Sequence, residues 1–133
     1  MTVSSGFAFD YTVSACGDLS SYQYRFVAPA ATAKRVQLGS GASAPAPLGV
    51  LQDDPVSGED GTVRVLGTTK LYVDAGTAIA YGDWLTAGSD GQGVVSTGSV
   101  FAAMAMEAVS SGSGVLIEAM LFPFGGFIAD NTP

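Results

Sequence analysis

Apolar and polar residues alternate near the start of the chain, with Phe7, Phe9, Tyr11 and Val13 interleaved with Ala8, Asp10, Thr12 and Ser14. A period of two puts successive side chains on opposite faces of an extended strand, so residues 1–19 are expected to form an extended N-terminal arm with one apolar face. A second alternation in SYQYRFVA sets Tyr22, Tyr24 and Phe26 on one face. The stretch GSGASAPAPLG that follows is rich in small residues, and Pro45 and Pro47 remove backbone donors, so it is expected to be a loop-like connection. From Gly49 onward short apolar runs are cut by turn residues, and the pattern predicts strands at 48–52, 62–66, 69–74, 78–80, 84–86, 93–96, 100–108 and 114–122.

The turns carry their own chemistry. Pro55 fixes φ inside DDPVSGEDG, and Asp90-Gly91 is a favoured pair for a tight hairpin turn. Gly49, Gly76, Gly82 and Asp83 punctuate the middle of the chain as structural turn residues, and SSGSG at 110–114 reads as a hairpin loop. One segment is ambiguous, because VFAAMAMEAV is rich in good helix formers. The short link to GVLIEAMLF favours a β-hairpin over a helix, with Met104 and Met106 on one face and Ala103, Ala105 and Glu107 on the other. Many short strands with frequent turns predict an all-β fold, a small antiparallel β-barrel or β-sandwich. The expected division is an arm at 1–19, one β-domain at 20–122 and an apolar C-terminal tail at 123–133.

Composition narrows the chemistry. At 133 residues the chain is long enough for one domain with its own core. Its formal net charge is −7, and the five basic residues, Arg25, Lys34, Arg35, Arg64 and Lys70, are too few and scattered to neutralise a run of phosphates, so no nucleic-acid partner is expected. The single Cys16 forms no intramolecular disulfide, and its acidic SACGD setting disfavours a thiolate nucleophile. No run approaches the roughly 20 apolar residues that cross a bilayer, and MTVSSGFAFD does not resemble a secretory signal. A soluble protein made in a reducing cytoplasm, with no membrane partner, is expected.

The chain has no histidine, which removes the usual general base, proton shuttle and metal ligand. No catalytic, cofactor or metal residues are therefore assigned. The acids Asp53, Asp54, Glu59 and Asp60 do not follow the ligand spacing of an EF-hand loop and read as a solvated turn; a metal-dependent hydrolase using them is the weaker enzymatic alternative. Glu107 and Glu118 sit in apolar runs, and two placements fit them: outward to solvent, or against Arg64 or Arg25 across an interface. Trp84 reads as a strand residue, with an aromatic sugar platform as the other possibility. The tail FPFGGFIADNTP is strongly apolar for a terminus, with Phe122, Phe124, Phe127 and Ile128; it and the arm either pack on another subunit or fold back.

The order of these elements resembles the small capsid decoration (cement) proteins of tailed bacteriophages. Gly49, Val50, Pro55, Gly58, Val63, Val65 and Gly67 fit the first part of that pattern. Ala75, Gly76, Ile79, Gly82, Asp83, Leu85, Thr86 and Gly91 fit the second, and Ala105, Glu107, Ala108, Ile117, Glu118 and Leu121 the last. The match covers roughly residues 20–122. What the resemblance implies is a non-enzymatic virion protein on the outer capsid surface, made in the host cytoplasm, whose partner is the major capsid protein. It further implies a homo-oligomer, commonly a trimer, that stabilises the shell by bridging capsid subunits. Phe7, Phe9, Tyr11, Tyr22, Tyr24, Arg25, Phe122, Phe124 and Phe127 are then the expected capsid or intersubunit contacts, since aromatics and Arg dominate interface energetics. The alternative is a carbohydrate-binding or adhesive β-module.

Overall fold

The long strand β5 (Asp60–Asp74) organises the molecule. At about 3.3 Å per residue it spans roughly 50 Å, longer than one small barrel needs. A computed structural model describes residues 8–32, 34–39, 47–96 and 101–121. It contains β1 (Phe9–Ala15), β2 (Phe26–Pro29), β3 (Arg35–Leu38), β4 (Gly49–Leu51), β5, β6 (Trp84–Ala87), β7 (Gly93–Val95), β8 (Ala103–Ala105) and β9 (Ser113–Leu121), with no helix among the described residues. The fold is all-β and barrel-based, which decides between the barrel and sandwich alternatives.

Pairings close into two circuits that share β5. The C-terminal half of β5 joins the five-stranded barrel β5–β7–β6–β8–β9, sealed by a ladder from Gly67↔Leu121 to Asp74↔Ser113. Its N-terminal half joins the circuit β1–β3–β2–β4–β5, first in chain order, through the ladder Asp10↔Arg64 to Ser14↔Asp60, so the β6–β9 barrel is the second. Most contacts are antiparallel, but β1–β3 and β5–β7 are parallel. The alternating arm pattern thus becomes a barrel strand. Val13 and Ala15 enter the core, whereas Phe9 and Tyr11 stay exposed.

Each circuit encloses its own core. Val13, Ala15, Leu19, Val27, Val36, Leu51 and Val63 fill the first. Leu71, Val73, Ile79, Leu85, Ile117 and Leu121, with alanines at 75, 87, 102, 103, 105 and 119, fill the second. Phe26 and Val50 belong to strands of the first circuit yet pack into the second core, so they tie the two together. A Cβ on Gly93 would come within 3.5 Å of the Phe26 ring, so the glycine leaves room for that ring beside β7.

Several local expectations differ from the structure. Residues 62–66 and 69–74 form one strand, because Gly67, at φ 101°, passes from the first circuit to the second in a conformation that glycine tolerates while pairing continues on both sides of it. The alternation in SYQYRFVA does not make a strand before Phe26; Tyr22 donates its N–H to Leu19 O and Tyr24 adopts φ 63°, which ends any extended run. The region 78–80 contributes only the Ile79↔Val109 bridge. RVQL, not anticipated as a strand, is β3, pinned by pairing with β2. The ambiguous VFAAMAMEAV resolves as β8, with Ala103 and Ala105 buried against β9. Most of the Gly/Pro-rich connection, at 40–46, lies outside the described residues.

Candidate functional site: an aromatic–cationic surface at the junction of the barrels

The segment between β1 and β2 gathers most of the chemistry on the described surface. Arg25 lies just before β2, and its guanidinium carbon sits 5.5 Å from the Tyr22 ring centroid and 5.8 Å from that of Tyr72 on β5. Lys70, two residues earlier on β5, places its ammonium 5.8 Å from the Tyr24 ring. Both cations are within the range where ring quadrupoles attract charge. Tyr24 is also fixed by its backbone: its N–H donates to Leu51 O at 2.8 Å and its carbonyl accepts from Tyr72 N at 2.9 Å. The left-handed conformation of Tyr24 is costly for an aromatic residue and is held by these bonds.

Arg25 is anchored from the opposite barrel. Its Nη1 donates to Asp90 O at 3.1 Å and lies 3.5 Å from Asp90 Oδ2. Burial alone would raise the Asp90 carboxyl, but hydrogen bonds from the Gln92 side chain and N–H, together with the Arg25 charge, outweigh it and hold the carboxyl below its ordinary value. Gln92 is 4% exposed and fully engaged: Nε2 donates to Asp90 Oδ2 at 2.6 Å and to Ser113 Oγ at 3.3 Å, while Oε1 accepts from Gly114 N at 2.6 Å. A polar chain therefore runs from Arg25 through Asp90 and Gln92 to the start of β9. The Arg25 Nε–H is buried with no acceptor among the described residues. Locked side chains of this kind lose little entropy when a partner covers them.

Expected contact residues separate into two places. Tyr22, Tyr24 and Arg25 come together here, joined by Tyr72 and Lys70, which the sequence reading did not single out. Their signal was present in KLYVD, where Lys70 and Tyr72 alternate with the buried Leu71 and Val73. Phe9 and Tyr11 lie on β1, 53% and 43% exposed, beside the Asp10–Arg64 ion pair at 2.9 Å. Phe7, Phe122, Phe124 and Phe127 lie outside the described residues.

Among the turn residues, Gly49 is required by close approach, since a Cβ would strike the Arg64 carbonyl across the β4–β5 ladder. Gly91 combines φ +78° with packing against Leu38 and the Phe26 carbonyl, which accepts from Gly39 N while Phe26 N donates to Gly91 O. Gly76 N donates to Asp74 Oδ1, and Gly82 N donates to Ala105 O. Asp83 Oδ2 caps Ala80 N at 2.8 Å.

The other candidates are committed locally. Asp53 accepts from Thr62 N, Glu59 from Val56 N, and Asp60 from Ser14 Oγ. No group of three or more His, Cys, Asp or Glu side chains among the described residues is placed to hold a metal ion. Glu107 meets neither Arg25 nor Arg64; its Oε1 accepts from Glu118 N at 2.8 Å. Arg64 instead holds Asp10 with two donors, Nε and Nη2, while its Nη1 bonds Thr68 O. Trp84 is half-buried and packs on Phe101 with centroids 4.3 Å apart, so its ring already has an aromatic neighbour. A surface depression of about 220 Å³ lined by Asp74, Gly76, Thr77, Val94 and Val95 is smaller than usual ligand pockets.

The double barrel thus carries ordered aromatic and cationic side chains on its surface. Comparison with known proteins places it more closely. The phage cement protein family model matches residues 3–124, and the chain belongs to that family of phage capsid-associated structural proteins. The match reaches into the arm before residue 20. No curated protein matches. Among solved structures, the N base of head fiber gp8.5 of bacteriophage phi29 superposes with a TM-score of 0.61. That likeness covers 92% of this chain and 99% of the other, at 22% sequence identity, and shows a shared fold.

Proposed function

We propose that this protein binds the outer surface of the mature phage capsid and stabilises the shell by bridging neighbouring major capsid protein subunits. Family membership across residues 3–124 carries the reading. The surface built from Tyr22, Tyr24, Arg25, Lys70 and Tyr72 supplies one contact, and Phe9 and Tyr11 on β1 supply another. Two separated contacts are what a bridge between subunits requires. Phe7, Phe122, Phe124 and Phe127 are assigned to the same role on their sequence alone. The protein acts as a homo-oligomer, with a trimer as the expected form, after synthesis in the host cytoplasm.

The physical mechanism is linkage: a protein that binds the expanded lattice and not its precursor stabilises the expanded state by its binding free energy. Many copies multiply a modest energy per site. The test is cosedimentation with expanded, undecorated capsids beside unexpanded procapsids. Saturable binding to expanded capsids alone is expected, with Arg25→Ala weakening it at least about tenfold if Arg25 acts as an interface hot spot. Urea unfolding of the same variant separates lost contact from lost fold. Absence of binding to either particle overturns the proposal.

A further inference from the structure

Among the described residues, one edge of β1 is only partly paired. Ser14 N and Cys16 N donate to Lys34 O and Val36 O on the β3 side, whereas Ala15 N donates to Glu59 O on the β5 side. Backbone groups alternate in direction along a strand, and the β1–β5 register is regular from Asp10 to Ser14. The N–H and C=O groups of Asp10 and Thr12 therefore point to the β3 side. Yet β3 reaches only Ser14 and Ala15, through Ser14↔Arg35 and Ala15↔Val36. Asp10 and Thr12 consequently have no backbone partner on that side among the described residues, and the open edge is flanked by the exposed Phe9 and Tyr11. Proteins usually cover or charge such an edge because it templates the addition of another strand.

Positive charge is distributed unevenly around it. Arg25 is paired with Asp90, Arg64 with Asp10, and Lys70 lies over Tyr24. Lys34 and Arg35 are exposed and make no ion pair among the described residues. Both stand where the β2–β3 hairpin meets β1, at the closed end of the open edge, and Lys34 is held in a left-handed conformation with φ 61°. In a chain of net charge −7, uncommitted cations at this point make the edge locally attractive to carboxylates.

We propose that the Phe9–Thr12 edge of β1 is a strand-addition site for an extended, acidic segment of a partner polypeptide. The partner's backbone pairs with Asp10 and Thr12, its apolar side chains lie against Phe9 and Tyr11, and its carboxylates meet Lys34 and Arg35. Main-chain bonds supply affinity and the flanking charges supply selectivity, as in other strand-addition sites. The inference does not depend on capsid binding, and its test contains no capsids.

The probes are two end-capped peptides, one alternating Val with Glu and the other Val with Lys, added to the full-length protein while hydrogen exchange is read residue by residue. The Glu peptide is expected to slow exchange at Asp10 and Thr12 at least about tenfold, while the Lys peptide does not. In the folded variant Lys34→Glu/Arg35→Glu the preference is expected to reverse. Unchanged exchange with the Glu peptide, or equal slowing by both peptides, overturns the proposal. So does protection of Asp10 and Thr12 in the protein alone, which assigns the edge to its own chain if independent of concentration and to a second copy if it grows with concentration.

Discussion

The two barrels share one strand but are closed in different ways. The second is sealed by the β5–β9 ladder from Gly67↔Leu121 to Asp74↔Ser113, and its core draws on both circuits. The first is sealed by β1, whose contact with β3 is Ser14↔Arg35 and Ala15↔Val36 alone. The partly paired edge, the cations Lys34 and Arg35, which make no ion pair among the described residues, and the exposed Phe9 and Tyr11 belong to the first. Regions with fewer buried contacts open at lower free energy. Phe26 and Val50, on strands of the first circuit, pack into the second core and tie the two together.

The sharpest way to break this arrangement is Phe26→Ala, since the ring is fully buried in the second core while its backbone belongs to the first circuit. A loss of about 3–5 kcal/mol is expected in urea unfolding. Exchange should rise in both barrels, in β9 as well as β3; a rise confined to β3 would show that the barrels are energetically separate.

A matched pair sharpens the contrast. Leu51→Ala and Leu85→Ala each remove a side chain with no exposed surface, from the first and second core respectively. Each is expected to cost about 2–5 kcal/mol. Hydrogen exchange distinguishes them: Leu51→Ala should loosen β1 and β3 while sparing β9, whereas Leu85→Ala should raise exchange throughout.

The smallest effect concerns the polar link between the barrels. The Asp90 carboxyl is held below its ordinary 3.8, so the stability it contributes is present above that value and lost as pH falls through its folded-state pKa. Wild type should therefore exceed Asp90→Asn in urea midpoint at pH 6, with the gap closing below about pH 4. With the Asp90 side chain 48% exposed, added salt should also narrow the gap. A gap that persists at low pH would show that the Gln92 hydrogen bonds, rather than charge, make the link.

The strand content was legible because most strands are short and bounded by turn residues. Val63, Leu71, Val73, Leu85, Ile117 and Leu121 alternate as core positions of a sheet should, and Asp90-Gly91 marks its hairpin in the sequence itself. Tyr22, Tyr24 and Arg25 are expected contacts for a compositional reason, the enrichment of aromatics and Arg at interfaces. Gly67 did not reveal that 62–66 and 69–74 are one strand, since a glycine reads as a break unless both neighbouring segments find partners that carry the pairing across its positive φ.

What the sequence determined by itself was the all-β class, most strand positions, the absence of histidine chemistry and the order of turns that marks the cement family. Tertiary structure alone decided that β5 serves two barrels, that Lys70 and Tyr72 join Tyr22, Tyr24 and Arg25 in one surface, and that β1 runs past β3, leaving Asp10 and Thr12 without a backbone partner on that side among the described residues. The reason is physical: alternation and turn chemistry act over a few residues and are written locally. Which strands become neighbours depends on closing pairings between residues as distant as Asp10 and Arg64, or Gln92 and Gly114.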